Sequence, residues 1–111
     1  MSKKSNIAKE GRTTAIISYL TIVGCLIAIT MNMEPKNTFA RFHIRQAFGI
    51  HILYHALAIA FSNLGLVWIP VGLFFLYLLL WGFGFINAMN EQIKPLPVLG
   101  EYFQKWFTFI S

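Results

Sequence analysis

The sequence predicts an all-α integral membrane fold: three transmembrane helices followed by an amphipathic helix lying in the interface. Three observations carry that prediction. The 111 residues are 57% hydrophobic and 12% charged, whereas an ordinary soluble domain carries roughly 25% charged residues, enough to cover a water-facing surface. No Asp, Glu, Lys or Arg occurs anywhere between Gln46 and Asn90. The last dozen residues sort into one aromatic and one polar face at helical spacing. A chain of this length fits one domain, read as a basic tail over 1–12 and a helical membrane domain over 13–111.

The tail sets Lys3, Lys4, Lys9 and Arg12 against Glu10 and contributes most of the net charge of +5. Such a tail beside a membrane contacts anionic lipid and favours a cytoplasmic N-terminus. Its basic residues are not interleaved with aromatics along a soluble face, so nucleic acid is not expected as a partner. From Thr13 to Met33 there is no charge. That stretch is long enough to cross a ~30 Å hydrocarbon core. It exceeds the apolar region of a signal peptide (about 7–15 residues) and lacks a following Ala-x-Ala site, so it is expected as a retained span. Gly24 and Ala28 form a small-xxx-small pair suited to close helix packing.

Glu34-Pro35 stops that helix, because the residue before proline is pushed out of the α region. Asn37 or Thr38 can cap the next. The charge-free run from Gln46 to Asn90 would make one helix of ~68 Å, about twice the bilayer core. It must fold back, and its only turn signal is Ser62-Asn63-Leu64-Gly65. Spans are therefore expected at about 39–62 and 66–90, with Arg41 and Arg45 at the membrane boundary. Pro70 falls in the first turns of the third span, where a missing N–H costs little. Trp68 and Tyr77 are candidates for the aromatic belt, and Trp81 for packing between helices. Lys94-Pro95-Leu96-Pro97 reads as an extended connector. Over 99–110, Leu99, Tyr102, Phe103, Trp106, Phe107, Phe109 and Ile110 share one arc, and Gly100, Glu101, Gln104, Lys105 and Thr108 the other. This helix is too short to span, so it is expected in the interface, with a fourth crossing as the alternative. Three crossings put the termini on opposite faces.

On a wheel of the second span, Arg41, Arg45, Phe48, Ile52, His55 and Ile59 share a face. Gly49, Ala56 and Ala60 lie a quarter turn away, a seam for a neighbouring helix, and Gly82 beside Gly84 suggests the same in the third span. Arg41, His43, Arg45 and Gln46 form the strongest polar cluster. At a membrane boundary they suit lipid phosphate, a partner's carboxylates or backbone carbonyls, or they simply anchor the helix. His43 is expected nearer Tyr54. His51 and His55, one turn apart, have a spacing that can ligate a metal or haem, against the plainer reading of hydrogen bonds to neighbouring helices. Asn87 is a candidate partner for one of them. No HExxH motif, intramembrane carboxylate or cysteine pair supports the metal reading, and Cys25 is the only cysteine. Ser18, Thr21, Cys25 and Ser62 have no visible base and orienting acid. No catalytic residue and no cofactor are expected.

Phe42-His43-x-Arg45-Gln46-Ala47, the third span ending Asn87-Ala88-x-Asn90-Glu91, and Pro97-Val98-Leu99-Gly100 together resemble a family of small bacterial membrane proteins. That family is related to the twenty-kilodalton component of the chloroplast Tic import complex. The resemblance covers roughly residues 13–107. It implies a multi-pass helical protein of the bacterial inner membrane with three or four spans and no enzymatic activity. The plastid relative is implicated in forming or supporting a protein-conducting channel. The expected function is thus a non-enzymatic subunit or accessory factor of a membrane protein assembly, related to protein translocation or import, with the lipid bilayer and other membrane subunits as partners. The alternatives are a haem- or metal-binding membrane protein using His51 and His55, and a small homo-oligomeric transporter or pore.

Overall fold

A computed structural model describes residues 3–33, 36–96 and 99–110. The expected helix stop at Glu34-Pro35 and the Pro97-Val98 part of the last motif lie outside the described residues. The described residues form five helices and no strand: α1 (Lys3–Leu20), α2 (Ile22–Met31), α3 (Thr38–Asn63), α4 (Trp68–Met89) and α5 (Leu99–Trp106).

The first expected span is the main departure. Residues 13–33 are not one helix. Helix α1 begins inside the basic tail and ends at Leu20, and Thr21 is extended at φ −154° and ψ 174°. The Thr21 hydroxyl accepts the Gly24 N–H at 3.0 Å and caps α2. A Cβ at Gly24 would run into the Ile17 carbonyl, so glycine is what lets α2 turn back so close to α1. The direction of each helix follows from its contacts with α3. Asn37 Nδ2 donates to the Ile7 carbonyl (2.9 Å), and His51 Nε2 meets the Ser18 carbonyl (3.0 Å). Helix α1 therefore runs parallel to the first half of α3. Cys25 Sγ approaches the Ile44 carbonyl (3.9 Å), and Asn32 Nδ2 donates to the Asn37 carbonyl (3.2 Å), so α2 returns the way α1 came. The 13–33 stretch has the length to cross a bilayer and spends it on a hairpin that enters and leaves at one end.

The other elements follow the expected pattern. Asn37 is the N-cap of α3, accepting from Ala40 N at 2.9 Å. Helix α3 ends at Asn63, and Gly65 takes φ 77° in the expected turn, where an L side chain would be strained. Helix α4 covers 68–89 against the expected 66–90, with Pro70 in its first turn. It runs antiparallel to α1: Arg12 Nε donates to the Met89 carbonyl (2.9 Å), and Trp81 Nε1 donates to the Tyr19 carbonyl. Both α3 and α4 are long and apolar enough to cross a membrane.

Helix α5 is shorter than expected and docks on α3. The Phe103 ring occupies the space where Gly49 would carry a Cβ, Phe107 packs edge-on against Phe48 at 4.9 Å, and Gln104 Nε2 donates to the Phe42 carbonyl at 2.7 Å. Ile7 thus lies beside Asn37 and Ile110 beside Arg45. Both ends of the described chain sit at the same end of a body 53 Å long, whereas three crossings would place them at opposite ends.

Candidate functional site

The buried residues of α3 run from Phe39 to His51 and those of α4 from Gly84 to Ala88. Around them α1, α2, α5 and the 90–96 segment form a compact head. Beyond it the α3–α4 hairpin exposes Ile59, Leu64, Trp68, Phe75 and Leu79, with Trp68 82% exposed.

His43 and Gln46, one turn apart, point into the head. The Gln92 carbonyl can only accept, so His43 Nε2 carries the proton that it donates there (2.8 Å). In the neutral ring Nδ1 is then an acceptor and takes the Tyr19 hydroxyl proton (2.7 Å). Burial raises the Tyr19 phenol far above its ordinary range, which keeps that proton in place. Gln46 Nε2 donates to the Tyr19 oxygen (3.0 Å), and Gln46 Oε1 accepts the Leu96 N–H (2.9 Å). The result is one directed chain of four hydrogen bonds from Leu96 through Gln46, Tyr19 and His43 to Gln92. It ties α1 to α3 and holds both ends of the segment that leads to α5. Every fully enclosed side-chain nitrogen and oxygen among the described residues has a partner.

This places the predicted cluster differently from the expectation. His43 and Gln46 are buried and occupied, so neither is open to lipid or a partner. His43 packs against Tyr19, Phe39 and Phe42 rather than near Tyr54, and Tyr54 stacks on Tyr77 at 4.6 Å. Arg45 reaches the chain end, with Nε donating to the Ile110 carbonyl (3.0 Å) and an Nη to that of Thr108 (3.4 Å). The Arg41 side chain has no hydrogen-bond or ion-pair partner among the described residues.

Both ring nitrogens of His51 are engaged, Nε2 by the Ser18 carbonyl and Nδ1 by the Tyr77 hydroxyl. His55 Nδ1 donates to the carbonyl of His51 at 2.7 Å. The pair therefore does not share a point of approach: His51 ties α3 to α1 and α4, while His55 is exposed and bonds within its own helix. Among the described residues no group of three His, Cys, Asp or Glu side chains converges. Asn87 pairs with neither histidine; its backbone carbonyl accepts the Gln92 N–H at 2.8 Å.

The packing residues divide. Gly24, Ala28 and Gly49 are buried between helices. Ala56 and Ala60 are exposed, and nothing lies within 4 Å of a Cβ built at Gly82. The seam stops where α1 and α5 stop, so these three face no neighbour. Gly84 is the close approach instead, against the Tyr19 ring. Sequence reasoning missed Tyr19, the hub of the head, and the carbonyls of Gln92 and Ile110. A tyrosine inside an apolar run was the one available signal for Tyr19, since a buried phenol needs a partner; backbone carbonyls leave no signal in composition.

Comparisons with protein-family models, with curated proteins and with solved structures find no match for this chain.

Proposed function

We propose that this chain is a non-enzymatic membrane subunit: an α3–α4 hairpin that crosses the bilayer twice, carrying a hydrogen-bonded head on one face and serving as an accessory factor of a larger membrane assembly. The observation that carries the reading is the division of polar groups. Those inside the head are spent on one another and on backbone, while the crossing half exposes only apolar side chains and a few neutral polar ones. Such a body is built to hold a shape and to sit in lipid.

The charge distribution supports two crossings with a cytoplasmic head. The segments gathered at the head carry all nine Lys and Arg, and the turn between the crossings carries none. With three crossings the same charges nearly balance across the membrane, whereas two crossings put them on one side, as the positive-inside rule favours. A bacterial inner membrane fits this arrangement. The turn that must reach the far side, Ser62 to Val67, contains no charge to translocate.

The likeness to the Tic-twenty-related family gains a physical sense on this reading. Its segments are distant in sequence and meet in the head: His43 bonds Gln92 directly after the Asn87–Glu91 segment, and Gln46 bonds Leu96, whose carbonyl accepts the Gly100 N–H at 3.1 Å. We read the motif as a head-building device and the assembly as one concerned with protein translocation.

Gentle-detergent purification of the tagged full chain from its native membrane, with crosslinking and mass spectrometry, tests the proposal. A membrane protein recovered in stoichiometric amount and crosslinked to the head or hairpin is the expected result. A chain recovered as a monomer, crosslinked to no other protein, overturns it.

A further inference from the structure

Arg41 and Arg45 lie one turn apart on α3, two like charges whose proximity is unfavourable unless an anion neutralises them. Among the described residues no carboxylate pairs with either. Arg45 is held by the Thr108 and Ile110 carbonyls through its Nε and one terminal nitrogen, which leaves guanidinium donors unused. The Arg41 guanidinium makes no hydrogen bond or ion pair among the described residues.

Depth identifies the anion. At ~1.5 Å per residue, Arg45 stands roughly 28 Å and Arg41 roughly 34 Å along the helix from the C-cap at Leu64. With the uncharged turn at the far edge of a ~30 Å hydrocarbon core, the two guanidiniums bracket the near layer of headgroup phosphates. Helix α5 crosses α3 at the same level and exposes Tyr102 and Trp106 there, side chains that favour the headgroup boundary. On this face of α3 Phe48, the next residue below Arg45, is covered by Phe107 and Phe109 just past the end of α5, and exposed side chains resume at Ile52 (39% exposed) and Ile59 (63% exposed). The cationic pair therefore stands level with the α5 aromatics at the boundary.

We infer that Arg41 and Arg45 clamp the headgroup phosphate of an anionic phospholipid. The inference rests on the reading of the hairpin as membrane-crossing. A guanidinium fork matches phosphate geometry; the C-terminal carbonyls set the orientation of Arg45, and Arg41 closes on the other side. The depth of the pair, level with the exposed Tyr102 and Trp106, is why the ligand is a lipid rather than free phosphate.

The test uses the full chain, purified in an uncharged detergent and stripped of lipid. It is titrated with phosphatidylglycerol, phosphatidylcholine or inorganic phosphate and read by native mass spectrometry. Wild type should retain phosphatidylglycerol over phosphatidylcholine, and inorganic phosphate should not compete. Arg41→Gln should reduce phosphatidylglycerol retention roughly fivefold, the factor for about 1 kcal/mol per cation at a membrane surface, without changing the unfolding temperature. Arg45→Lys should reduce it as well, because lysine lacks the fork. Retention equal to wild type in both variants overturns the clamp, as does full competition by inorganic phosphate. Loss of a copurifying protein in Arg41→Gln with lipid retention intact overturns it too, and assigns the pair to a partner's carboxylates. Carbonate-resistant association with vesicles is scored separately: failure there removes the membrane reading, while intact association with unselective lipid retention removes only the clamp.

Discussion

Helix α3 is two helices in physical terms. From Phe39 to His51 nine of its residues are buried, among aromatic rings and a directed hydrogen-bond chain. From Ile52 to Asn63 none is, and its neighbours are α4 and whatever solvent surrounds the hairpin. Composition separates the halves in part: Arg41, Arg45 and Gln46 lie in the first, and the second has no charged residue. What separates them further is how polar groups are satisfied. In the first half Tyr19, His43, Gln46 and backbone atoms distant in sequence satisfy one another. In the second, His55 bonds back to its own helix, which needs no neighbour. A helix can face lipid only where its polar groups are settled locally, and at His51 α3 passes from a stretch packed in protein to one that is not.

Breaking the directed chain should have the largest effect. His43→Ala leaves the Tyr19 hydroxyl and the Gln92 carbonyl without their partner, and a buried group left unsatisfied costs about 1–3 kcal/mol. The loss should be local. Hydrogen exchange should report lost protection in α1, α2 and α5 with the outer half of the α3–α4 hairpin still protected. Equal loss along all of α3 would mean that the two halves fold as one unit.

The glycines sharpen the comparison. A Cβ at Gly84 meets the Tyr19 ring, which is fixed by its own hydrogen bonds. Overpacking of that kind costs about 1–3 kcal/mol, more than the roughly 1 kcal/mol a helix gains from Gly to Ala. Gly82 has open space. In thermal unfolding in mild detergent, Gly84→Ala should lower the transition and Gly82→Ala should leave it unchanged or raise it. The opposite order would place the head's boundary elsewhere on α4.

The second and third expected helices were legible because their signals are local: a capping asparagine, a Ser-Asn-Leu-Gly turn, a proline tolerated in a first turn and an unbroken apolar run. The first was not, because length and hydropathy are the same for a span and for a hairpin. The break at Thr21 depends on what α1 and α2 touch. Ser18 and Tyr19 find partners on α3 only if the chain reverses within a few residues of them, and no neighbour in sequence announces those partners. The same limit explains the site. His43 and Gln46 stood out as a polar pair at a boundary, which is how an open binding surface looks in one dimension. Their partners at Gln92 and Leu96 are made by the path of the chain. Arg41, uncommitted among the described residues, is the member of the cluster whose outward reading survives.

The central claim is that the α1–α2 segment enters and leaves on one face, so that the bilayer is crossed only by α3 and α4. Single cysteines at Lys9, Lys36, Asn63 and Lys105, in a Cys25→Ser background, test it by labelling with a membrane-impermeant maleimide in sealed right-side-out and inverted vesicles. The account predicts that positions 9, 36 and 105 label from the cytoplasmic side and position 63 from the other. Labelling of positions 9 and 36 from opposite sides would contradict it and restore a first transmembrane span over 13–33.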